Sequence, residues 1–313
     1  MSQTIIITWG AGFIGSNFLS KYVLAFPDIQ FVNLDALTYA GNIEKISITA
    51  RNAPNYIFEQ VDIRDIDNLR KIYIKYQPTD IIHFAAESHV DNSIRNPRLF
   101  TEVNVLGTQN LLDLHREFSM NRFHYISTDE VYGDIPDSWF FTEETHIEPS
   151  SPYSASKAGG DILTQAYGRT YELNYTITRC SNNYGAHQNL ISLIPLFISK
   201  IEKNEQVPLY GDGSNIRDWL YVEDHCDAIW EVFTRAENGS IYNVGGNNEY
   251  TNLEITKILL SAMWKDESLI SFVPDRPWHD KRYAIDATKI KNELGWEPKV
   301  KFEEGIKKVI QFY

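Results

Sequence analysis

Thr128, Asp129 and Glu130 stand together near the middle of the chain and place one hydroxyl beside two carboxyl groups. Adjacent carboxyl groups divide the roles of general acid and general base when their surroundings separate their pKa values. Such groups would move protons on a hydroxylated substrate. Considered alone, the pair is better explained as a solvated acidic turn.

Tyr153 and Lys157 follow at a spacing of four residues, which puts both side chains on one face of a helix. A lysine cation close to a phenol favours the phenolate, so we expect the pKa of Tyr153 to fall from about 10 towards neutral pH. Such a tyrosine takes a proton from a hydroxyl while a hydride leaves for a nicotinamide. The motif is a common accident by itself, and it gains weight here because it follows a nucleotide-binding pattern.

That pattern is Gly10, Gly12 and Gly15, which form a GxGxxG loop between a predicted strand and a helix. The helix N-terminus offers amide groups and a partial positive charge to a pyrophosphate. Asp35 ends the next predicted strand, 20 residues after Gly15. A carboxylate there accepts hydrogen bonds from a ribose and repels a 2′-phosphate, which predicts NAD rather than NADP. The alternative is a tight structural turn and an unrelated surface aspartate.

Short apolar runs alternate with helical patterns through the first half of the chain. This alternation predicts right-handed crossovers and a doubly wound, Rossmann-type parallel sheet in an α/β protein. The predicted strands cover residues 4–8, 31–34, 56–58, 81–84, 122–126 and 175–178, and the predicted helices cover 16–25, 69–76, 99–118 and 156–171.

The second half is less regular, with Pro- and Gly-rich breaks between short helices predicted at 225–235 and 253–264. We predict an NAD-binding domain over residues 1–180 that carries the catalytic residues. Residues 181–313 would form a smaller α/β substrate-binding lobe for a sugar nucleotide, with excursions of the chain back to the sheet.

Composition narrows the classes of partner. The 313 residues contain 29 Lys and Arg against 42 Asp and Glu, a net charge of −13, which disfavours nucleic acid and anionic membrane surfaces. Cys180 and Cys226 are too few for a disulfide framework or a four-cysteine zinc site. We expect a cytoplasmic protein with free thiols, no metal, and no export or membrane-spanning segment.

Six further runs extend the pattern over nearly the whole chain: LTYAGN at 37–42, FAAESHVD at 84–91, RCSNNYG at 179–185, LYGDG at 209–213, RDWLYVEDH at 217–225 and YNVGG at 242–246. With these motifs the chain resembles the extended short-chain dehydrogenase/reductase superfamily, and within it the dTDP-glucose 4,6-dehydratase family. The related epimerases usually lack an Asp-Glu pair after the threonine, and GDP-mannose dehydratases typically have serine in place of Asp129. The triplet 128–130 is therefore the most discriminating motif.

The resemblance implies a mechanism. Tyr153 would deprotonate the glucose C4 hydroxyl as hydride passes to NAD, with Lys157 holding the tyrosine and the nicotinamide ribose, and Thr128 bonded to the C4 oxygen. Glu130 would remove the C5 proton. Asp129 would protonate the C6 hydroxyl, which leaves as water before hydride returns to C6. The product is a 4-keto-6-deoxy sugar, as used in deoxysugar biosynthesis such as that of dTDP-rhamnose.

The resemblance also implies contact residues and a homodimer built from the helices at 99–118 and 156–171, whose wide apolar faces core packing would equally require. Guanidinium groups independently suit a nucleotide diphosphate, and the alternative for Arg217 and Arg276 is ordinary surface ion pairing. The cofactor contacts, besides Gly10, Gly12 and Gly15, are Phe13, Ile14, Asp35, Ala36, Leu37, Thr38, Asp62, Ile63, Ala86, Tyr153, Lys157 and Asn183. The substrate contacts are Glu87, Ser88, Asn182, Arg217, Asn252, Arg276 and His279.

The chain departs from the family at several positions, of which Trp9 is the most conspicuous because the family has its first loop glycine there. We hypothesise that Trp9 weakens or reshapes NAD binding; the alternative is that its ring turns away. Other departures are Asn92, Val103, Ala186, Ser192 and Trp278. Two alternative functions stay open: another sugar-nucleotide dehydratase or epimerase, or a sugar-nucleotide-binding homologue with weakened catalysis.

Overall fold

The chain folds around a parallel sheet, as its alternating pattern predicts. The computed structural model describes residues 3–136, 138–275 and 279–313. Its strands there are β1 Thr4–Thr8, β2 Gln30–Asp35, β3 Tyr56–Gln60, β4 Asp80–His83, β5 Arg122–Thr128, β6 Tyr175–Cys180, β7 Asn182–Tyr184, β8 Val207–Tyr210, β9 Ile216–Tyr221, β10 Ser240–Val244, β11 Glu249–Thr251 and β12 Ile270–Val273. Its α-helices there are α1 Phe13–Ala25, α2 Ile48–Arg51, α3 Ile66–Tyr76, α4 Val90–Arg95, α5 Pro97–Thr101, α6 Thr108–Glu117, α7 Pro152–Tyr171, α8 Leu193–Glu202, α9 Val222–Arg235, α10 Asn252–Ala262, α11 Thr288–Leu294 and α12 Phe302–Phe312.

The central sheet has seven strands in the order β10-β6-β5-β4-β1-β2-β3, and every pair is parallel. The chain runs outwards from β1 through β2 to β3, and then crosses to β4 on the other side of β1. This is the strand order of a doubly wound sheet, and it opens a crevice at the carboxyl ends of β1 and β4. The predicted α/β fold class is confirmed.

Both faces of this sheet are covered, which explains why β1 is apolar without alternation. Ile6 packs in a cluster with Leu111 of α6 and Tyr167 of α7. Its neighbour Ile7 points to the other face and packs in a cluster with Phe18 of α1 and Ile229 of α9. The sheet is thereby held rigidly, with its carboxyl edge left for a site.

The second lobe contains a three-stranded sheet of β11, β9 and β7 and a parallel pair of β12 with β8. Helices α8, α10 and α12 pack on these strands around Phe197, Leu259 and Phe302. Ser240–Val244, from the part assigned to this lobe, forms β10 and pairs with β6 of the central sheet. The chain therefore returns to the central sheet after residue 180. The domain boundary at residue 180 stays a prediction.

Two helices differ from the expected boundaries in ways that matter for the site. The helix expected from residue 156 begins at Pro152, because Ser151 and Ser154 form a capping box at its start. The helix expected over 99–118 is interrupted by a π-helical segment, Glu102–Gly107. In that segment the Asn104 amide nitrogen donates to the Glu87 carbonyl and to Ser156 Oγ.

In the described parts of the chain, no helix combines the length and the apolar character that a membrane crossing needs.

Candidate active site

The acidic triplet lies where β5 ends, at the carboxyl edge of the sheet. Thr128 is the last residue of the strand, and Asp129–Tyr132 forms a single 3₁₀ turn after it. The Thr128 hydroxyl accepts a hydrogen bond from the Glu130 amide at 3.3 Å and donates to Asp129 Oδ1 at 3.3 Å. The turn holds the two carboxyl groups beside the threonine in one place.

Asp129 is only 1% exposed, so the pKa of its carboxyl group depends on the surrounding protein groups. Burial raises the pKa of this carboxyl well above its usual value, and the nearby charges of Glu130 and Asp218 raise it further, against the opposing effects of Arg217 and Thr128. A carboxyl group with a raised pKa holds its proton to a higher pH than usual, which suits a proton donor. The solvated acidic turn does not describe Asp129.

We predict that Asp129→Asn raises the free energy of unfolding. Between the unfolded value of 3.8 and the raised folded value, the folded chain holds a proton on Asp129 that the unfolded chain has lost, so the stability of the natural chain falls as pH rises. The gain from asparagine should grow by up to about 1.4 kcal/mol per pH unit in that window. Urea unfolding at several pH values between about 5 and 8 measures it.

The exposed carboxyl of Asp28 supplies the control, because Asp28→Asn should leave this pH dependence unchanged. A constant difference between Asp129→Asn and the natural chain across that pH range would contradict the raised pKa.

Tyr153 and Lys157 lie in the first two turns of α7, and both are buried, at 9% and 3% exposure. The Lys157 ammonium donates to the Ile126 carbonyl of β5 at 2.7 Å and lies 4.4 Å from the centre of the Tyr125 ring. Burial lowers the pKa of Lys157 to about 8. The lysine is thus tied to the strand that carries the acidic triplet.

The expectation that Lys157 lowers the pKa of Tyr153 is wrong for the described chain. Burial raises the pKa of the Tyr153 phenol well above its usual value, and the charge of Glu130 adds to the rise, while a hydrogen bond with Thr128 opposes it. The physical reason is that desolvation dominates in this interior position. The Lys157 ammonium is instead engaged by the Ile126 carbonyl.

At the opposite end of the cleft, Asp35 closes β2 and is fixed by two backbone amides. Ala11 N donates to its Oδ2 at 2.9 Å, and Leu37 N donates to its Oδ1 at 2.8 Å. Gly10 packs beneath this turn, where a Cβ would lie 2.3 Å from Asn33 Oδ1. A side chain at position 10 would force the loop away from the sheet.

Trp9 has the left-handed backbone conformation of the loop, with φ 57°, a region that glycine adopts at little cost. Its ring lies against Gly12, since a Cβ on Gly12 would be 3.1 Å from the indole Cδ2 and Cε2 atoms. Trp9 also lines two of the cavities described below. Its ring thus lies against the glycine loop.

Three adjoining cavities bring the predicted site residues together. Those lining the catalytic cavity are Phe13, Ile14, Gly15, Ala86, Ser88, Thr128, Asp129, Glu130, Tyr153, Lys157, Asn182 and Asn183. Those lining the Asp35 cavity are Asp35, Ala36, Thr38, Asp62, Ile63, Ala86 and Glu87. Those lining the outer cavity are Ser88, Glu130, Asn182, Arg217, Asn252 and His279.

The remaining predicted residues stand apart from these linings. Gly10, Gly12 and Leu37 belong to the loops beside the cavities without lining them. Arg276 lies outside the described residues, as does Trp278. Of the other departures from the family, Val103 lines the Asp35 cavity and Ser192 lines both the catalytic and the outer cavities.

Arg217 is 5% exposed and therefore is not a surface residue. It donates to the backbone carbonyls of Ile216 and Asp280, and its guanidinium lies 4.3 Å from the centre of the Tyr283 ring. Tyr283 also lines the outer cavity together with Tyr210. Sequence reasoning missed both tyrosines, because no pattern in the chain brings them near Arg217.

Comparisons with known proteins identify the family that shares this fold and site. A sequence model of the family described as GDP-mannose 4,6 dehydratase matches residues 6–309. A dTDP-glucose 4,6-dehydratase of Neisseria gonorrhoeae is 46% identical over 99% of this chain and 95% of its own length. The chain belongs to the dTDP-glucose 4,6-dehydratase family.

Solved structures agree with this family. The dTDP-glucose 4,6-dehydratase of Streptomyces venezuelae with NAD and TYD (a dTDP ligand) bound is 45% identical, with a TM-score of 0.95 over 99% of this chain and 97% of that one. A UDP-glucose 4-epimerase of Thermus thermophilus in complex with NAD is 31% identical, with a TM-score of 0.91 over 99% of this chain and 98% of that one. Family members and epimerases thus share the fold, so the fold alone does not separate the two activities.

Proposed function

We propose that this chain catalyses the NAD-dependent dehydration of dTDP-glucose to dTDP-4-keto-6-deoxyglucose. One observation carries the proposal beyond the fold: Asp129, a carboxyl whose burial raises its pKa, shares a cavity with a second carboxyl and with the Tyr153–Lys157 pair. Epimerisation at C4 requires no loss of water and hence no such acid. The named function of the family relatives supports the same reaction.

The residues present fit NAD. The Asp35 carboxylate, oriented by two amides, suits a ribose diol in the Asp35 cavity, and the close packing at Gly10 leaves backbone beside a pyrophosphate. Lys157 and Tyr153 stand in the catalytic cavity, where a nicotinamide riboside would lie. When bound, NAD supplies a hydride acceptor and later a hydride donor to the sugar.

We propose for the chain's own groups, which share one cavity, the roles that the family resemblance implies. Tyr153 would act as its phenolate, a form that the positive charge of a bound nicotinamide would favour against the burial that raises its pKa. It takes the proton of the C4 hydroxyl, which Thr128 holds, and C4 becomes a ketone as its hydride leaves. Glu130 then removes the C5 proton, which the new ketone has acidified. Asp129 gives its proton to the C6 hydroxyl, the C6–O bond breaks, and water leaves. Hydride addition at C6 and a proton returned to C5 complete the product.

Substrate phosphates are proposed to contact Arg217 in the outer cavity. Its guanidinium lies over the Tyr283 ring and carries a positive charge in a buried place, where attraction to a diphosphate is strong. Arg276 stays a predicted second contact. The nearby Asn252 and His279 are proposed to bind the nucleotide.

Incubation of the purified chain with dTDP-glucose tests the function. We expect a product lighter by one water, with the alkaline absorbance of a 4-keto-6-deoxy sugar, and slower conversion of UDP-glucose and GDP-mannose. Formation of dTDP-galactose would instead identify an epimerase. Sugar-nucleotide binding with no product at all would support the weakened homologue.

We further propose a cytoplasmic homodimer acting in deoxysugar biosynthesis, of which dTDP-rhamnose formation is one case. The helices expected to pair expose large apolar side chains, among them Ile162 and Tyr171 of α7, at 51% and 45% exposure. Both cysteines are free and buried, which suits a reducing compartment.

A further inference from the structure

The catalytic cavity and the Asp35 cavity adjoin each other. Two residues line both of them, Trp9 and Ala86. Tyr153 and Lys157 stand in the first cavity, and Asp35 stands in the second. A dinucleotide that reaches from Asp35 to Tyr153 must therefore pass between Trp9 and Ala86.

The indole lies beside this passage, against Gly12. Gly12 is the residue that precedes α1, so its surface is where a pyrophosphate would meet the helix N-terminus. The indole atoms Cδ2 and Cε2 lie against that surface, within 3.1 Å of where a Cβ would be. A ring in that position and a pyrophosphate cannot share the space.

A further cavity offers space for a displaced indole ring. Trp9 lines this cavity together with Tyr39, Lys45 and Gln188. The side chain is half-buried, and a change of its side-chain torsions moves it without unfolding a helix or strand.

We propose that the Trp9 indole is a gate between the two halves of the dinucleotide cleft, which must swing away from Gly12 before NAD can span it. The proposal rests on the proposed NAD-dependent function. A ligand that binds only to the open form has its affinity reduced by the open fraction, so a gate closed nine times in ten costs about tenfold. A half-ligand such as AMP, confined to the Asp35 cavity, does not have to pass the gate.

Calorimetric titration of the full chain with NAD and with AMP tests this. We expect Trp9→Gly and Trp9→Ala both to bind NAD about tenfold or more tightly than the natural chain, and AMP within about threefold of it. The two variants separate volume from conformation, because alanine removes the ring but keeps a Cβ at φ 57°.

Trp264→Gly is the matched control. Trp264 has the same residue type and nearly the same backbone conformation, φ 58°, but is 93% exposed at the end of α10. It should relieve the same backbone strain and leave NAD affinity unchanged.

The outcomes distinguish a failure of the gate proposal from a failure of the proposed function. Equal NAD affinity in the natural chain and both Trp9 variants overturns the gate and leaves the proposed function standing. An equal gain for AMP and NAD also overturns it, since the ring would then merely fill the Asp35 cavity. Folded variants and a folded natural chain that all fail to bind NAD overturn the proposed function itself.

Discussion

Replacing Tyr153 with phenylalanine should lower kcat for dTDP-glucose by about three orders of magnitude, with little change in stability or NAD binding. The phenol is the group placed to take the C4 proton, and it stands with Thr128 and Glu130 in one cavity. Without that proton transfer the ketone does not form, and neither the C5 proton nor the C6 hydroxyl becomes labile. Steady-state kinetics and a single-turnover measurement of NADH absorbance test this.

The appropriate control is Tyr171→Phe, at the far end of the same helix, where the ring is 45% exposed. It should retain full activity. Asp129→Asn provides the contrast, because it acts after oxidation: NADH absorbance should still appear on addition of substrate, while product does not. If Tyr153→Phe also shows that absorbance at the natural rate, another group takes the proton.

Breaking the Arg179–Asp161 pair should produce the largest loss of stability, about 3–5 kcal/mol for Arg179→Met. Arg179 is 2% and Asp161 0% exposed, and they form two hydrogen bonds, Nε to Oδ2 at 2.9 Å and Nη2 to Oδ1 at 3.0 Å. Methionine would leave the Asp161 carboxylate buried without its cation. Urea unfolding measures the change in the free energy of unfolding.

Two further variants test whether the loss of stability comes from an unpaired buried charge. The double variant Asp161→Leu with Arg179→Met removes both charges and should recover most of the loss, since well-packed apolar pairs replace buried ion pairs at little cost. Glu231→Gln breaks the exposed pair with Arg235 and should cost below about 1 kcal/mol. A single Arg179→Met variant as stable as Glu231→Gln would contradict the buried-charge argument.

The same pair explains how the active-site elements are joined. Arg179 comes from β6 and Asp161 from α7, and the arginine also donates to the hydroxyl of Tyr132, in the turn that follows Asp129. We infer that the pair helps to keep the tyrosine helix and the acidic turn at a fixed distance. Sequence reasoning missed it, because residues 18 apart in different elements show no periodicity.

Much of the sheet was predictable, since buried parallel strands have a strong local signature. Residues 4–8 and 175–178 are runs of β-branched and aromatic side chains, and the structure forms strands there. The π-helical segment Glu102–Gly107 was not predictable, because tertiary hydrogen bonds of Asn104 accompany it and no local pattern does. The pairing of β10 with β6 has no local signature either, and the sequence predicts only that the chain returns to the sheet.

The candidate site was likewise predictable only in part. Motif spacing brought Asp129, Glu130, Tyr153 and Lys157 to one cavity, because carboxyl ends of parallel strands meet at one edge. Their pKa values depend on burial, which spacing does not contain, and the expected effect of Lys157 on Tyr153 was therefore wrong. The position of the Trp9 ring likewise depends on space left by Gly12.

The late arrival of β10 has a consequence for synthesis of the chain. Six of the seven central strands are complete at Cys180, yet β6 lacks its outer neighbour until Ser240–Val244 has left the ribosome. During that interval the nascent sheet carries an open edge, which is a template for association with other chains. Residues 181–239 are thus made before the central sheet is closed, and the edge of β6 stays open for as long as their synthesis takes.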